Sequence, residues 1–285
     1  MRNVTVTIYT DPGCPFGFNA QRQELQLDWH YGHGAEIKRV MIGLIEESSS
    51  FEDRGMTREM LAANAERLRS LYGMPMLTDA QDHLAATVQA CRAYVGARIH
   101  DPERADLLLR HLRRRAFAEG EPLDEPATTH GAGADAGIEA SSLEAWLTDP
   151  DVERALREDM TATRAPLPEA LALPHRLSGG TAAPRYSTAS AVFESDGRRI
   201  VMPGFQPFAV YEVAMANAAP DLERRPAPDT VDEVLAWAPY PLATAEVAEL
   251  RGISQAQARD ELQRSGARFA PTGGDGYWTR SADLA

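Results

Sequence analysis

Cys14 is the residue whose type and setting point most directly to chemistry. It follows the turn Thr10-Asp11-Pro12-Gly13 and precedes Pro15-Phe16-Gly17, where the alternating β-branched stretch Val4, Val6, Ile8 gives way to a helical pattern. A sulfur at a helix N-terminus faces unpaired backbone N–H groups and the positive end of the helix dipole, and both favour the thiolate. The expected chemistry is nucleophilic: exchange with a disulfide, or oxidation to a sulfenic acid. Pro15 suits the first helical turn, where its missing donor is not needed. The competing reading is a small, inert hydrophobe on the core side of the turn.

Other chemistry-bearing residues read differently. Cys91 shares a helical stripe with Leu84, Val88 and Val95 and reads as core. Pairing it with Cys14 would need Cα atoms within about 7 Å. The histidines (His30, His33, His83, His100, His111, His130, His175) are scattered, and His30-Tyr31-Gly32-His33 has only Asp28 nearby, so a solvated loop is expected there and no metal site. Arg110, Arg113, Arg114 and Arg115 read as an exposed helix face opposite Leu108, Leu109 and Leu112, with an anion site for a thiol's carboxylate or phosphate as the alternative. Phe16, Phe18, Met74 and Met76 read as core, Phe16 being the best placed to reach solvent.

The elements that must position Cys14 are a strand at Val4–Ile8, a helix to about Asp28 and a strand at 36–44, a βαβ opening. Residues 56–160 read as successive helices. The proline-rich stretch 164–185 reads as irregular surface connection. Strands at 190–194 and 199–202 flank Ser195-Asp196-Gly197, a hairpin signal, and a helix follows at 207–217. The expected organisation is α/β, with a βαβ half at 1–54, a helical insertion at 55–165 and a ββα half at 166–218. A linker at 219–228 and a small module at 229–285 complete it.

Composition bounds the rest. The 285 residues carry 29 basic and 42 acidic side chains, a formal charge of −13, which argues against a nucleic-acid surface over the whole molecule. Two cysteines exclude a disulfide scaffold. No apolar run suggests a signal peptide or a membrane span, so a reducing cytoplasm is expected and no membrane partner.

The turn Thr10-Asp11-Pro12-Gly13-Cys14-Pro15-Phe16-Gly17 resembles the active-site turn of the DsbA-like branch of the thioredoxin superfamily. The long helical insert, Gly73-Met74-Pro75-Met76 and Gly204-Phe205-Gln206-Pro207 resemble that branch too, and the resemblance covers about residues 3–217. It implies a thiol-disulfide oxidoreductase in which Cys14 is catalytic and Pro12, Gly13, Pro15, Phe16 and Gly17 form the active turn. Two departures stand out. The family's second cysteine falls at Gly17, so the protein would act as a monothiol, with a low-molecular-weight thiol co-substrate or a protein disulfide and no resident cofactor. The cis-proline position falls at Ala189, between Thr188 and Ser190, and a peptide bond before a non-proline is expected to be trans. The alternatives are a relative of kappa-type glutathione transferases and isomerases, or a catalytically degenerate interaction protein on this fold.

Residues 229–285 resemble a winged helix, with a helix at 242–248, a turn at Gly252-Ile253-Ser254 and a recognition-like helix at 255–264. From Asp229 onward five arginines face nine acidic residues, a balance of −4 that argues against DNA. A packing or homodimerisation role is expected instead.

Overall fold

The structure is a computed structural model and describes residues 4–53 and 55–281. Strands β1 (Val4–Thr10), β2 (Ala35–Met41), β3 (Ser190–Ser195) and β4 (Arg198–Met202) form one sheet in the order β2-β1-β3-β4. β1 runs parallel to β2, with Val6 opposite Ile37, and antiparallel to β3, with Val6 opposite Phe193. Alternation in β1 buries Val4, Val6 and Ile8 against α1 (Pro15–Tyr31) and the later helix, Phe208–Ala218. The β3–β4 turn is the expected Asp-Gly hairpin, with Asp196 and Gly197 both at positive φ.

Between β2 and β3 lie α2 (Ser50–Asp53), α3 (Arg58–Tyr72), α4 (Val88–His100), α5 (Pro102–Arg114), a π-helical turn (Arg115–Glu119), α6 (Pro126–Asp135), α7 (Ala140–Leu147), α8 (Pro150–Thr163) and α9 (Pro168–Leu171). Leu108, Leu109 and Leu112 of α5 meet Cys91, Tyr94 and Val95 of α4 in the core of this insertion. The helix at Phe208–Ala218 is α10. Beyond it come α11 (Val231–Trp237), β5 (Leu242–Ala243), α12 (Thr244–Arg251), α13 (Gln255–Arg264), β6 (Arg268–Thr272) and β7 (Asp275–Thr279). The last three strands form a second sheet in the order β5-β7-β6.

α1 is buried on almost every side although its sequence is polar. Sheet, insertion and C-terminal module each take part of its surface, and its charges are matched where they are buried. Glu24 meets Arg39 at 2.9 Å, and Arg22 pairs with Glu249 of α12. Trp29 of α1 enters a core with Val234, Leu235, Leu250, Leu262 and Trp278, and its indole donates to the Pro226 carbonyl at 2.7 Å.

The structure departs from the sequence expectation at His30 and on α5. His30 is not in a solvated loop: α1 continues to Tyr31, and the His30 ring is buried, stacked on Phe208 and 2.7 Å from the Arg225 carbonyl. Arg110 and Arg113 do not lie on an exposed face. α5 is covered on its polar side by α1 and the C-terminal module, so both guanidiniums are buried. Arg110 is paired with Glu246 of α12 and Arg113 with Thr10 and Glu24.

Candidate functional site

β1 ends at Thr10 and the chain turns back through Asp11-Pro12-Gly13 to start α1 at Pro15, leaving Cys14 as the residue that precedes the helix. The Asp11 carboxylate accepts from the Gly13 amide at 2.9 Å, and the Cys14 amide donates to the Asp11 carbonyl at 3.3 Å. Gly13 packs so closely on Thr87 that a Cβ there would lie 2.3 Å from the Thr87 methyl. The first helical bond runs from the Phe18 amide to the Cys14 carbonyl at 3.0 Å.

The Cys14 sulfur sits against the Phe16 and Gly17 amides and the Thr188 hydroxyl, though none of these forms a regular capping hydrogen bond. The expectation of a lowered thiol pKa is overturned. Burial, which leaves Cys14 only 7% exposed, pushes the thiol up. The Thr188 hydroxyl and the Gly17 amide oppose that rise without cancelling it, and the nearby Asp11 carboxylate adds to it. In this arrangement Cys14 rests as a protonated thiol.

Asp11 was not distinguished from the rest of the turn by its sequence, yet it is the hub beneath the sulfur. It is fully buried, and its carboxylate also accepts from the Leu44 amide at 2.6 Å, the Thr87 hydroxyl at 3.1 Å and the Cys91 thiol at 3.5 Å. An aspartate opening an Asp-Pro-Gly turn is a recognisable local signal. Its distant partners leave none. Cys91 is core, as expected, with its thiol occupied by Asp11 and pushed far up by burial.

Thr188 meets the turn at Cys14 and Gly17, and the Thr188–Ala189 peptide bond is cis, contrary to the trans bond expected before alanine. The loop is fixed on both sides of that bond. The Tyr186 amide donates to the Thr163 carbonyl at 2.9 Å, and the Ser190 amide and hydroxyl both donate to the Ser187 carbonyl. Ser190 Oγ also receives the Gly204 amide at 2.8 Å, which brings Phe205 edge-on to Phe16 with ring centroids 5.8 Å apart. At Gly17 a Cβ would lie 3.1 Å from the Asp11 carbonyl oxygen, Thr10 Oγ1 and Thr188 Cγ2. Phe18, Met74 and Met76 are core and Phe16 is partly exposed, as their spacing suggested.

A cleft of about 430 Å³ opens beside the turn, lined by Gly13, Pro15 and an apolar wall that includes Leu61, Met76, Phe117 and Leu123. A wider cleft of about 890 Å³ borders β2 and α5. Each cation that lines it has an acidic neighbour: Lys38 with Glu36, Arg39 with Asp106, Arg98 with Asp159, Arg110 with Glu246 and Arg113 with Glu24. A shallow, charged depression of about 600 Å³ lies at the β3–β4 turn, at the other end of β3 from Ser190. The first of these clefts is the one that meets the turn, at Gly13 and Pro15 on either side of Cys14. Among the described residues, no three His, Cys, Asp or Glu side chains converge as a metal site, and no helix is long and apolar enough to cross a membrane.

The family described as DSBA-like thioredoxin domain matches residues 5–165, which include the turn at Cys14. The chain belongs to that family. The fold of this DSBA-like protein is also similar to a provisionally named disulfide isomerase from Nitrosomonas europaea, at TM-score 0.57 and 16% identity, covering 75% of this chain and 96% of that one. A protein named as a probable DsbA oxidoreductase from Streptomyces coelicolor matches at TM-score 0.55 and 20% identity, with 79% and 93% covered. The cytosolic disulfide reductase DsbM from Pseudomonas aeruginosa matches at 0.52 and 17%, with 76% and 93% covered. No curated protein matches the chain.

Proposed function

We propose that this DSBA-like protein is a monothiol thiol-disulfide oxidoreductase, with Cys14 as its one reacting sulfur and a low-molecular-weight thiol or a protein disulfide as its partner. The observation that carries the reading is the Cys14 sulfur set between the first amides of α1 and the Thr188 hydroxyl, beside a cleft, with glycine at position 17. Cys14 first loses its proton to water or buffer. The thiolate attacks one sulfur of RS–SR′, forming Cys14–S–SR and expelling R′S⁻, which takes up a proton. A second thiolate R″S⁻ then attacks the R-side sulfur, forming RS–SR″ and returning the Cys14 thiolate. The two-electron balance is held by the small thiols throughout, and no resident cofactor is required.

The helix amides and Thr188 stabilise the sulfur's negative charge as it forms, because they oppose the effect of burial. The raised resting pKa makes exchange slow at neutral pH until a bound partner changes the solvation of the sulfur. A small-thiol partner in a reducing cytoplasm fits two features of the relatives: DsbM is named as cytosolic, and it has also been solved with GSH. The C-terminal module fits nucleic acid poorly, since Arg251, Arg259 and Arg264 are each paired with an acidic neighbour of the module.

The raised thiol pKa also favours a second reading. A neutral Cys14 would donate a hydrogen bond to a bound glutathione thiolate, as the likeness to kappa-type transferases and isomerases implies. Alkylation of native protein across pH 6–10 with peptide mapping tests the first reading. It predicts modification at Cys14 with an apparent pKa above the ordinary thiol value, and a covalent mixed disulfide on exposure to a small disulfide. Glutathione-dependent isomerisation without any adduct would replace it by the second.

A further inference from the structure

The family match ends at residue 165, and the solved relatives leave about a quarter of this chain unmatched. The C-terminal hairpin nonetheless stands directly behind the cleft. Met76, Leu77, Phe117 and Gly120 line the cleft on one side, and the Leu77 amide donates to the Phe117 carbonyl at 2.8 Å, tying the two segments together. On their far side, Thr272 at the end of β6 donates its hydroxyl to the Ala118 carbonyl at 2.8 Å. At the hairpin tip Gly273 lies so close that a Cβ would be 2.8 Å from the Pro75 carbonyl carbon and 2.9 Å from the Met76 amide nitrogen, at a φ of +56°. Tyr277 of β7 is buried with Met74, Met76, Ala118 and Phe18, the last only one helical turn beyond Cys14.

We propose that the β6–β7 hairpin is a specificity-determining support of the Cys14 cleft, holding the Pro75–Leu77 and Phe117–Gly120 segments and so fixing the size of group that can reach the sulfur. This rests on the reading of Cys14 as the reacting residue. The supported wall, at Met76, Leu77 and Phe117, is apolar, while Arg58, His83 and Glu121 line other parts of the cleft, so the admitted class is a small thiol or disulfide whose apolar part lies against that wall. The neighbouring interactions show that the hairpin is a fixed part of this wall. Gln255 of α13 donates to the Tyr72 carbonyl at 3.4 Å at the end of α3, and Ala243 and Ala245 share the core with Tyr277.

The test uses the full chain with Thr272→Val, which keeps the side-chain shape, and Gly273→Ala, which crowds the tip. Arg264→Ala, on an exposed part of the same module, is the control. Two readouts are taken: hydrogen exchange of the Leu77 amide, and the rate of Cys14 alkylation by a bulky pyrenyl maleimide relative to iodoacetamide. Loss of one supporting hydrogen bond should speed Leu77 exchange by about tenfold. The bulky-to-small ratio should rise several-fold in both hairpin variants and stay at the wild-type value in R264A. Folded variants with Leu77 exchange and reagent ratio both unchanged would overturn the proposal. If wild-type Cys14 reacts with neither reagent, the functional reading fails, and Leu77 exchange still decides whether the hairpin holds the wall.

Discussion

Arg110 of α5 and Glu246 of α12 form a two-point ion pair, with both carboxylate oxygens accepting guanidinium N–H groups at 2.7 and 2.6 Å, sealed from solvent. Burial alone would lower the Arg110 pKa, and the adjacent Glu246 charge more than offsets it. Glu246 also accepts from the Ala243 amide at 2.8 Å, so the same carboxylate fixes the start of α12. A pair placed this way ties the insertion to the C-terminal module. Glu246→Gln leaves a buried guanidinium without its counter-charge and should cost about 3–5 kcal/mol of stability. Chemical denaturation measures this, and the double change Arg110→Met, Glu246→Leu should recover part of the loss.

Gly17 tests how tightly the active turn is closed. A methyl group there would press on the Asp11 carbonyl, Thr10 Oγ1 and Thr188 Cγ2 at once, each 3.1 Å from its Cβ. Gly17→Ala should therefore destabilise the fold by about 1–3 kcal/mol despite the better helix propensity of alanine. A rise in melting temperature would show that the turn has room to spare.

His111 sets an acid limb. It is buried on α5, and burial pushes its pKa down to about 4, with Asp135 opposing and the neighbouring arginines assisting. The unfolded chain binds a proton from about pH 6.5 downward while the native ring stays neutral until about pH 4. Stability is thus lost as pH falls through that window, by on the order of 3 kcal/mol. Urea denaturation at pH 7 and pH 4.5 should show this fall in the wild type and a flatter profile in His111→Asn.

The two cysteines set an alkaline limb from the same cause, burial. Burial raises the pKa of both Cys14 and Cys91, so the native chain keeps protons that the unfolded chain releases above about pH 8.5. Native protein then binds more protons than unfolded protein, and stability falls as pH rises from that point toward the native values. Replacing both cysteines with alanine should flatten the loss between pH 8.5 and 10. Asp11→Asn removes a charge that disfavours the Cys14 thiolate, so alkylation of Cys14 at pH 7 should be faster in that variant.

What the sequence made legible was local. The β-branched alternation of Val4–Ile8, the Asp-Pro-Gly turn, Pro15 after Cys14 and the Asp196-Gly197 hairpin each encode their geometry within a few residues, and each element stands within a few residues of its expected bounds. What stayed hidden was set by partners far along the chain. Arg110 and Arg113 carry the pattern of a solvated face, and only the packing of α1 and the C-terminal module against α5 makes them interior. A helix start is legible at Cys14 from Pro15, whereas the cover that desolvates the sulfur comes from residues far along the chain. Likewise, the cis bond at Ala189 belongs to a loop anchored at Thr163 and Gly204, 26 residues before and 15 after it, and alanine itself gives no sign of it.

Exchange at one sulfur of the native protein is measured directly by peptide-mapped mass spectrometry after incubation with oxidised glutathione. The predicted result is a single glutathionyl adduct on Cys14, formed faster as pH rises, released by added thiol, with Cys91 unmodified until the chain is unfolded. Cys14 left unmodified in folded protein at every pH, yet labelled at once in urea, would contradict it.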